Sequence, residues 1–229
     1  MPVDEPYTTL LASLPHLPVP GARTQLPITR LKLKNHLKWL TPEDRDRLHT
    51  LDIALHWVHL PIDLSDAQMI ERASTALEAV DSDFLRVIIL ERLEMRTFAA
   101  ALRRRVRNEP LPRDQPWGIG RFVKHIENHF SDPSFGLEHL YPWIAQASKH
   151  LQANEPMALE NLMIMESWKR LDRVDDRHGF GFDAVALYVM RWEILHRYIH
   201  RQTEKALTHF DSLVAHALED SPISLEALT

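Results

Sequence analysis

From Asp183 to Leu218, the residues Val185, Val189, Trp192, His196, Ile199, Thr203, Ala206, Phe210, Leu213 and Ala217 recur at alternating spacings of four and three. A strand presents every second residue to one face, so this pattern cannot serve a strand; it predicts one long helix with a heptad seam. That helix must bury its seam, either inside a bundle or against a partner helix. Polar His196 and Thr203 lie within the seam and favour a bundle, where neighbours satisfy them.

The rest of the chain follows the same rule. All six glycines (Gly21, Gly118, Gly120, Gly136, Gly179, Gly181) fall between periodic segments, where they do not weaken a helix interior. Helices are predicted over 28–40, 42–59, 65–80, 83–108, 119–130, 137–153, 156–173 and 183–218. Thr41 is placed to cap the second of these, with Pro42 at its first position and Glu43 and Asp44 at the positive end of its dipole. Pro142 marks the start or a kink of the helix around it. The first 27 residues hold six prolines and read as an irregular leader around Tyr7–Leu14, a short strand or a single helical turn. Pro110 to Gly118, dense in proline and glycine, is the predicted linker, giving helical halves 1–109 and 119–229. The fold class is therefore all-α: a multi-helix bundle with long helices and a proline-rich leader.

Composition excludes several functions. The absence of cysteine removes disulfides, thiolate zinc sites and thiol nucleophiles, and it suits a reducing compartment. A formal charge of −5 argues against nucleic-acid binding through bulk charge, although protonation of the 14 histidines at acidic pH would reverse the sign. The start, Met1-Pro2-Val3-Asp4-Glu5, is acidic where a signal peptide is basic. The richest apolar stretch, Ala184 to Leu195, is interrupted by Arg191 and Glu193, and no segment approaches the roughly 20 apolar residues of a membrane span. The expectation is a soluble cytoplasmic protein.

Few residues offer chemistry. Glu193, His196 and His200 share one helix face and are the candidate metal ligands. A di-iron bundle needs two Glu-x-x-His motifs, and the second is missing. The His125/His129 and His56/His59 pairs are what many histidines in helical sequence produce by chance. No His-Glu-x-x-His or Gly-x-Ser-x-Gly motif occurs, and Gly118-Ile119-Gly120 lacks both a third glycine and a preceding strand. The expected protein is not an enzyme and carries no cofactor.

The run Arg103-Arg104-Arg105-Val106-Arg107 is the strongest charge feature. Cations at a helix C-terminus complement its dipole and last carbonyls; alternatively, the run docks an acidic partner. No interleaved aromatics provide a stacking platform for bases. Trp39, Trp57, Trp143, Trp168 and Trp192 read as packing residues, whereas Trp117 in the linker reads as an exposed anchor.

Several segments together carry a resemblance. Tyr7-Thr8-Thr9-Leu10-Leu11-Ala12-Ser13-Leu14-Pro15 is similar to the opening of an uncharacterised bacterial family related to the C subunit (eukaryotic subunit d) of V-type ATPases. Glu94-Met95-Arg96 with Ala101-Leu102-Arg103-Arg104-Arg105 resembles its arginine-rich middle helix. Glu160-Asn161-Leu162 before Trp168, Phe182 to Val189, and Glu193 to Tyr198 resemble its last helices. The resemblance implies an all-helical, non-catalytic subunit linking the central stalk to the membrane proteolipid ring, with the other ATPase subunits as partners. The chain is shorter than the three-module build of better-known C subunits. A displacement of 99 residues aligns Arg92-Leu93-Glu94-Met95 with Arg191-Trp192-Glu193-Ile194, a faint sign of duplicated modules. Two other functions remain open: a free-standing helical adaptor or assembly factor using Arg103–Arg107, and a metal-dependent enzyme using Glu193, His196 and His200.

Overall fold

The computed structural model describes residues 6–55, 66–173 and 179–219. Trp57, the His56/His59 pair and the cap expected at Ser65 lie outside them, as do the side chains of Thr203, Ala206, Phe210, Leu213 and Ala217. Among the described residues the chain is helical and forms α1 (Thr8–Ser13), α2 (Arg30–Leu37), α3 (Pro42–Leu55), α4 (Asp66–Glu78), α5 (Asp83–Val106), α6 (Val123–Asn128), α7 (Trp143–Gln152), α8 (Pro156–Asp172) and α9 (Phe182–Glu219). No helix among them is long and apolar enough to cross a membrane.

Local sequence explains most of these boundaries. Thr41 Oγ1 accepts from the Asp44 amide at 3.2 Å and opens α3; Ser82 Oγ accepts from Leu85 at 3.3 Å and opens α5. Two helix ends rest on asparagine instead of glycine. Asn108 and Asn154 adopt φ of 57° and 54°, and the following amides, Glu109 and Glu155, donate back to Arg104 and His150 carbonyls at 2.8 Å. This is the left-handed termination that asparagine tolerates better than other side chains.

Three helices are shorter than expected: α2 covers Arg30–Leu37 of the expected 28–40, and α6 and α7 start late. Residues 119–122 do not join α6, because this segment hydrogen-bonds to α5 instead of to itself. Residues 137–141 form turns, with Tyr141 donating to Leu137 at 2.8 Å, and α7 starts only after Pro142, its N-cap.

Two large cores meet along α5. Its first half (Leu85, Ile88, Ile89, Leu93) packs with Ile164, Trp168 and Leu171 of α8 and with Ala186, Met190, Trp192 and Leu195 of α9. Its second half (Met95, Phe98, Ala101, Leu102) packs with Trp117, Ile126, Phe135, Trp143 and Ile144. Phe98 centres the second core, its ring 5.4–6.5 Å from Phe122, Phe135, Tyr141 and Trp143. Each such buried ring contributes about 1.5–3 kcal/mol. Both cores draw on residues before and after 110–118. That segment divides the sequence but not the core.

The leader is a strap across α9. Tyr188 Oη donates to the Pro15 carbonyl at 2.8 Å, and buried Trp192 Nε1 donates to Ile28 at 2.9 Å. Tyr7 is buried with Leu10, Leu40 and Val185, and its hydroxyl donates to Asp44 at 2.5 Å. Along α9, Ala186, Leu187, Met190, Ile194 and Leu195 are buried beside the seam residues Val185 and Trp192, whereas Val189, His196 and Ile199 are half-buried. The buried face is wider than a two-residue heptad seam, as bundle packing requires.

Two tryptophan expectations are corrected. Trp39 is 58% exposed; it sits past the last turn of α2, tilted against His36. Trp117 is 5% exposed instead of being a surface anchor. Its indole N–H donates to Glu127 of α6 at 2.9 Å, which satisfies the one polar atom of a ring otherwise suited to the second core.

Candidate functional site: the arginine face of α5 and α9

A helix turns by about 100° per residue, so consecutive arginines cannot share a face. Arg105 turns inward. Its guanidinium donates to the Asp132 carbonyl, to Pro133 at 2.5 Å and to Ser148 Oγ at 2.9 Å, and lies 5.1 Å from the centre of the Phe135 ring. It fastens the 132–135 turn to α5 and α7, and burial pulls its pKa down. Arg104 and Arg107 each stand 4.0 Å from Glu109. Arg103 reaches solvent, yet the protein packed around the rest of its side chain, and then Arg107, pull its pKa down. The run therefore splits into one internal clamp and several outward cations, and Trp117 does not join them.

Two more arginines lie on the same side of α5, and Arg92 lines a narrow groove with Arg170 and Met190 of the neighbouring helices. Arg92 and Arg96, half-buried, precede Arg103 and Arg107 on the same side of the helix, and Arg197 of α9 acts on both. Burial first, then the neighbouring cations, pushes Arg92 and Arg96 down to about 10; both stay protonated at neutral pH. Glu160 accepts from Arg197 Nε at 3.1 Å and Nη2 at 2.8 Å and also pairs with Arg201. Arg92 and Arg96 are legible in the sequence only if arginines are tested at spacings of four and eleven, instead of being sought as a run; Arg197, on another helix, is brought to them by the tertiary structure.

The proposed metal ligands are arranged otherwise. Glu193 pairs with Arg30 at 3.1 Å. His196 stacks on Trp192 with ring centres 4.9 Å apart, and His200 stacks in turn on His196 at 6.1 Å. Among the described residues no group of three or more histidines and acids is placed to hold a metal ion. His125 and His129 are stacked at 4.2 Å. Their Nε2 and Nδ1 face the carbonyls of Phe135 and His125 at 2.8 and 2.9 Å, so these nitrogens carry the protons.

The Gly118-Ile119-Gly120 segment packs its backbone directly on α5. The Ile119 amide donates to Thr97 Oγ1 at 2.9 Å. At Gly118 a Cβ would lie 2.5 Å from Thr97 Cγ2, and at Gly120 it would lie 2.1 Å from Glu94 Cγ. Both glycines are needed so that this backbone can lie against α5.

Among the described residues, fold and site together define an all-helical protein with arginines in register along one side of α5. No protein-family model, curated protein or solved structure matches the chain.

Proposed function

We propose that this protein is a non-catalytic coupling subunit resembling the C (d) subunit of a bacterial V-type ATPase, joining the central stalk to the proteolipid ring at the cytoplasmic side of the membrane. The observation that carries this reading, beside the sequence resemblance, is the path of α5. One uninterrupted helix runs through both large cores, so displacement of one core is transmitted to the other without a hinge. Torque transmission needs that stiffness, since a flexible connection would melt locally under load.

Affinity purification of the tagged chain from its native cells tests this. The coupling role expects stoichiometric recovery with the stalk and ring subunits of the ATPase. An assembled ATPase that lacks the chain, with the chain itself recovered as an isolated monomer, would overturn it. A free-standing adaptor is the second reading, favoured by the arginine face. It would give a different partner and a gene neighbourhood without ATPase subunits.

A further inference from the structure

We infer that the outer face of α2 docks the protein directly onto a bilayer surface that carries anionic phospholipids. Lys32, Lys34 and Lys38 supply the charge, and Leu31 and Trp39 supply the apolar contact. The inference goes beyond the coupling reading, in which partner subunits and not lipid hold the chain at the membrane.

The sequence separates charge sharply. From Pro6 to Pro42 there are five arginines and lysines (Arg23, Arg30, Lys32, Lys34, Lys38) and no aspartate or glutamate. The formal charge of −5 therefore belongs to the rest of the chain. At physiological salt a charge is felt over about 8 Å, so the surface that meets the bilayer decides the sign of the contact. The asymmetry turns α2, and not the acidic remainder, toward an anionic leaflet.

The structure leaves these cations on the outside. Buried Leu33 and half-buried Leu37 seat α2 on the main core. On the opposite side Lys34, Lys38, Leu31, Asn35 and Lys32 follow one another around the helix within about 160°, and all five are exposed. Arg30 is held by Glu193 at 3.1 Å, whereas Lys32, Lys34 and Lys38 have no ion pair among the described residues. Local energetics do not account for their placement. Lys32 stands in the first turn, at the positive end of the helix dipole, and Lys34 and Lys38 repel one another across one turn. Carboxylate or phosphate charge arriving from outside relieves both.

The apolar side chains select lipid over nucleic acid or an acidic protein. Leu31 is 71% exposed and Trp39 58%. Eight residues apart, they stand about 12 Å from one another along the axis. Singly, exposed apolar residues signify little; two on one basic, acid-free face form a pair of anchors. Indole and leucine side chains both enter the boundary between headgroups and acyl chains, while leucine has nothing to contact on a phosphate backbone. Lysine, a compact hydrated cation, suits a diffuse layer of headgroups, whereas nucleic-acid phosphates are matched by the arginine fork.

The test uses the full chain and two kinds of vesicle, phosphatidylcholine alone and phosphatidylcholine with about one third phosphatidylglycerol. Binding is read by co-sedimentation at low and moderate salt. The anionic vesicles are expected to bind at least about tenfold more tightly than the neutral ones, and less so as salt rises. Lys32→Gln/Lys34→Gln/Lys38→Gln is expected to weaken anionic binding by at least about tenfold, since each cation near the leaflet contributes roughly fivefold. Leu31→Gln/Trp39→Gln is expected to weaken it at moderate salt, where the charges are screened. Arg103→Gln/Arg107→Gln, cations at the far end of another helix, is expected to leave it unchanged. Melting temperatures establish that each variant is folded. Equal binding to both vesicles, no binding to either, an equal loss from the Arg103/Arg107 variant, or tighter binding of a short DNA duplex or a polyglutamate peptide would each overturn the inference. The vesicle comparison on the unaltered chain decides the matter even if a variant melts early. It also fails or succeeds independently of co-purification with an ATPase.

Discussion

Glu94, only 2% exposed, receives three hydrogen bonds from Arg121: from the backbone amide at 2.8 Å and Nε at 3.0 Å to one carboxylate oxygen, and from Nη2 at 2.9 Å to the other. A buried carboxylate is tolerated only when its charge and lone pairs are satisfied in this way. The pair is lopsided, since the Arg121 side chain is 61% exposed, and the carboxylate holds its guanidinium well above the ordinary range. It fastens the chain after the proline-glycine segment onto the middle of α5, where the two cores meet.

Removing the exposed partner should therefore be costly. Arg121→Met leaves the carboxylate buried with one backbone donor and should destabilise the fold by about 2–3 kcal/mol. Glu94→Gln/Arg121→Met should recover part of that loss, because no buried charge is then stranded. Gly120, at φ +107° and close against Glu94, should cost about 2 kcal/mol or more as Gly120→Ala. Gly181, with nothing within 4 Å of its Cβ position, should tolerate alanine. Chemical denaturation of the variants checks all four values.

The arginine run should separate by position. Arg105→Gln loses contacts to Asp132, Pro133, Ser148 and Phe135 and should cost about 1.5–3 kcal/mol. Arg107→Gln, at 69% exposure, should change stability by less than about 0.5 kcal/mol. Equal effects in thermal melts would refute the division of the run into clamp and surface.

Tyr188 should leave a mark at high pH. Burial pushes its phenol from 10.0 up to about 12. The unfolded chain then loses a proton that the folded chain keeps. This contribution to stability is complete below pH 10 and is lost as pH rises through about 12. Ultraviolet titration of the phenolates should show a late component that Tyr188→Phe removes. The same change should cost about 1 kcal/mol at neutral pH through the lost bond to Pro15.

Helix type and position are written in local patterns, so both can be read directly from the order of the residues. The spacing of Val185 to Ile199 specifies α9, Thr41-Pro42 opens α3, and Pro156 stands at the first position of α8, all of them patterns confined to neighbouring residues. Helix ends at Asn108 and Asn154 carry no glycine signal, and asparagine also serves elsewhere, so these two ends are not legible locally. Nor is what each arginine does. Arg105 and Arg107 are two residues apart and carry the same charge; only the arrival of Phe135 and Ser148 from distant segments makes one a clamp. The same holds for Trp117, which reads as an exposed linker residue until Glu127 and the second core enclose it. Periodicity and capping act over one or two turns and survive in the sequence alone. Burial and charge environment depend on which distant segments meet, and for Glu94, Arg96 and Trp117 only the tertiary structure decides that.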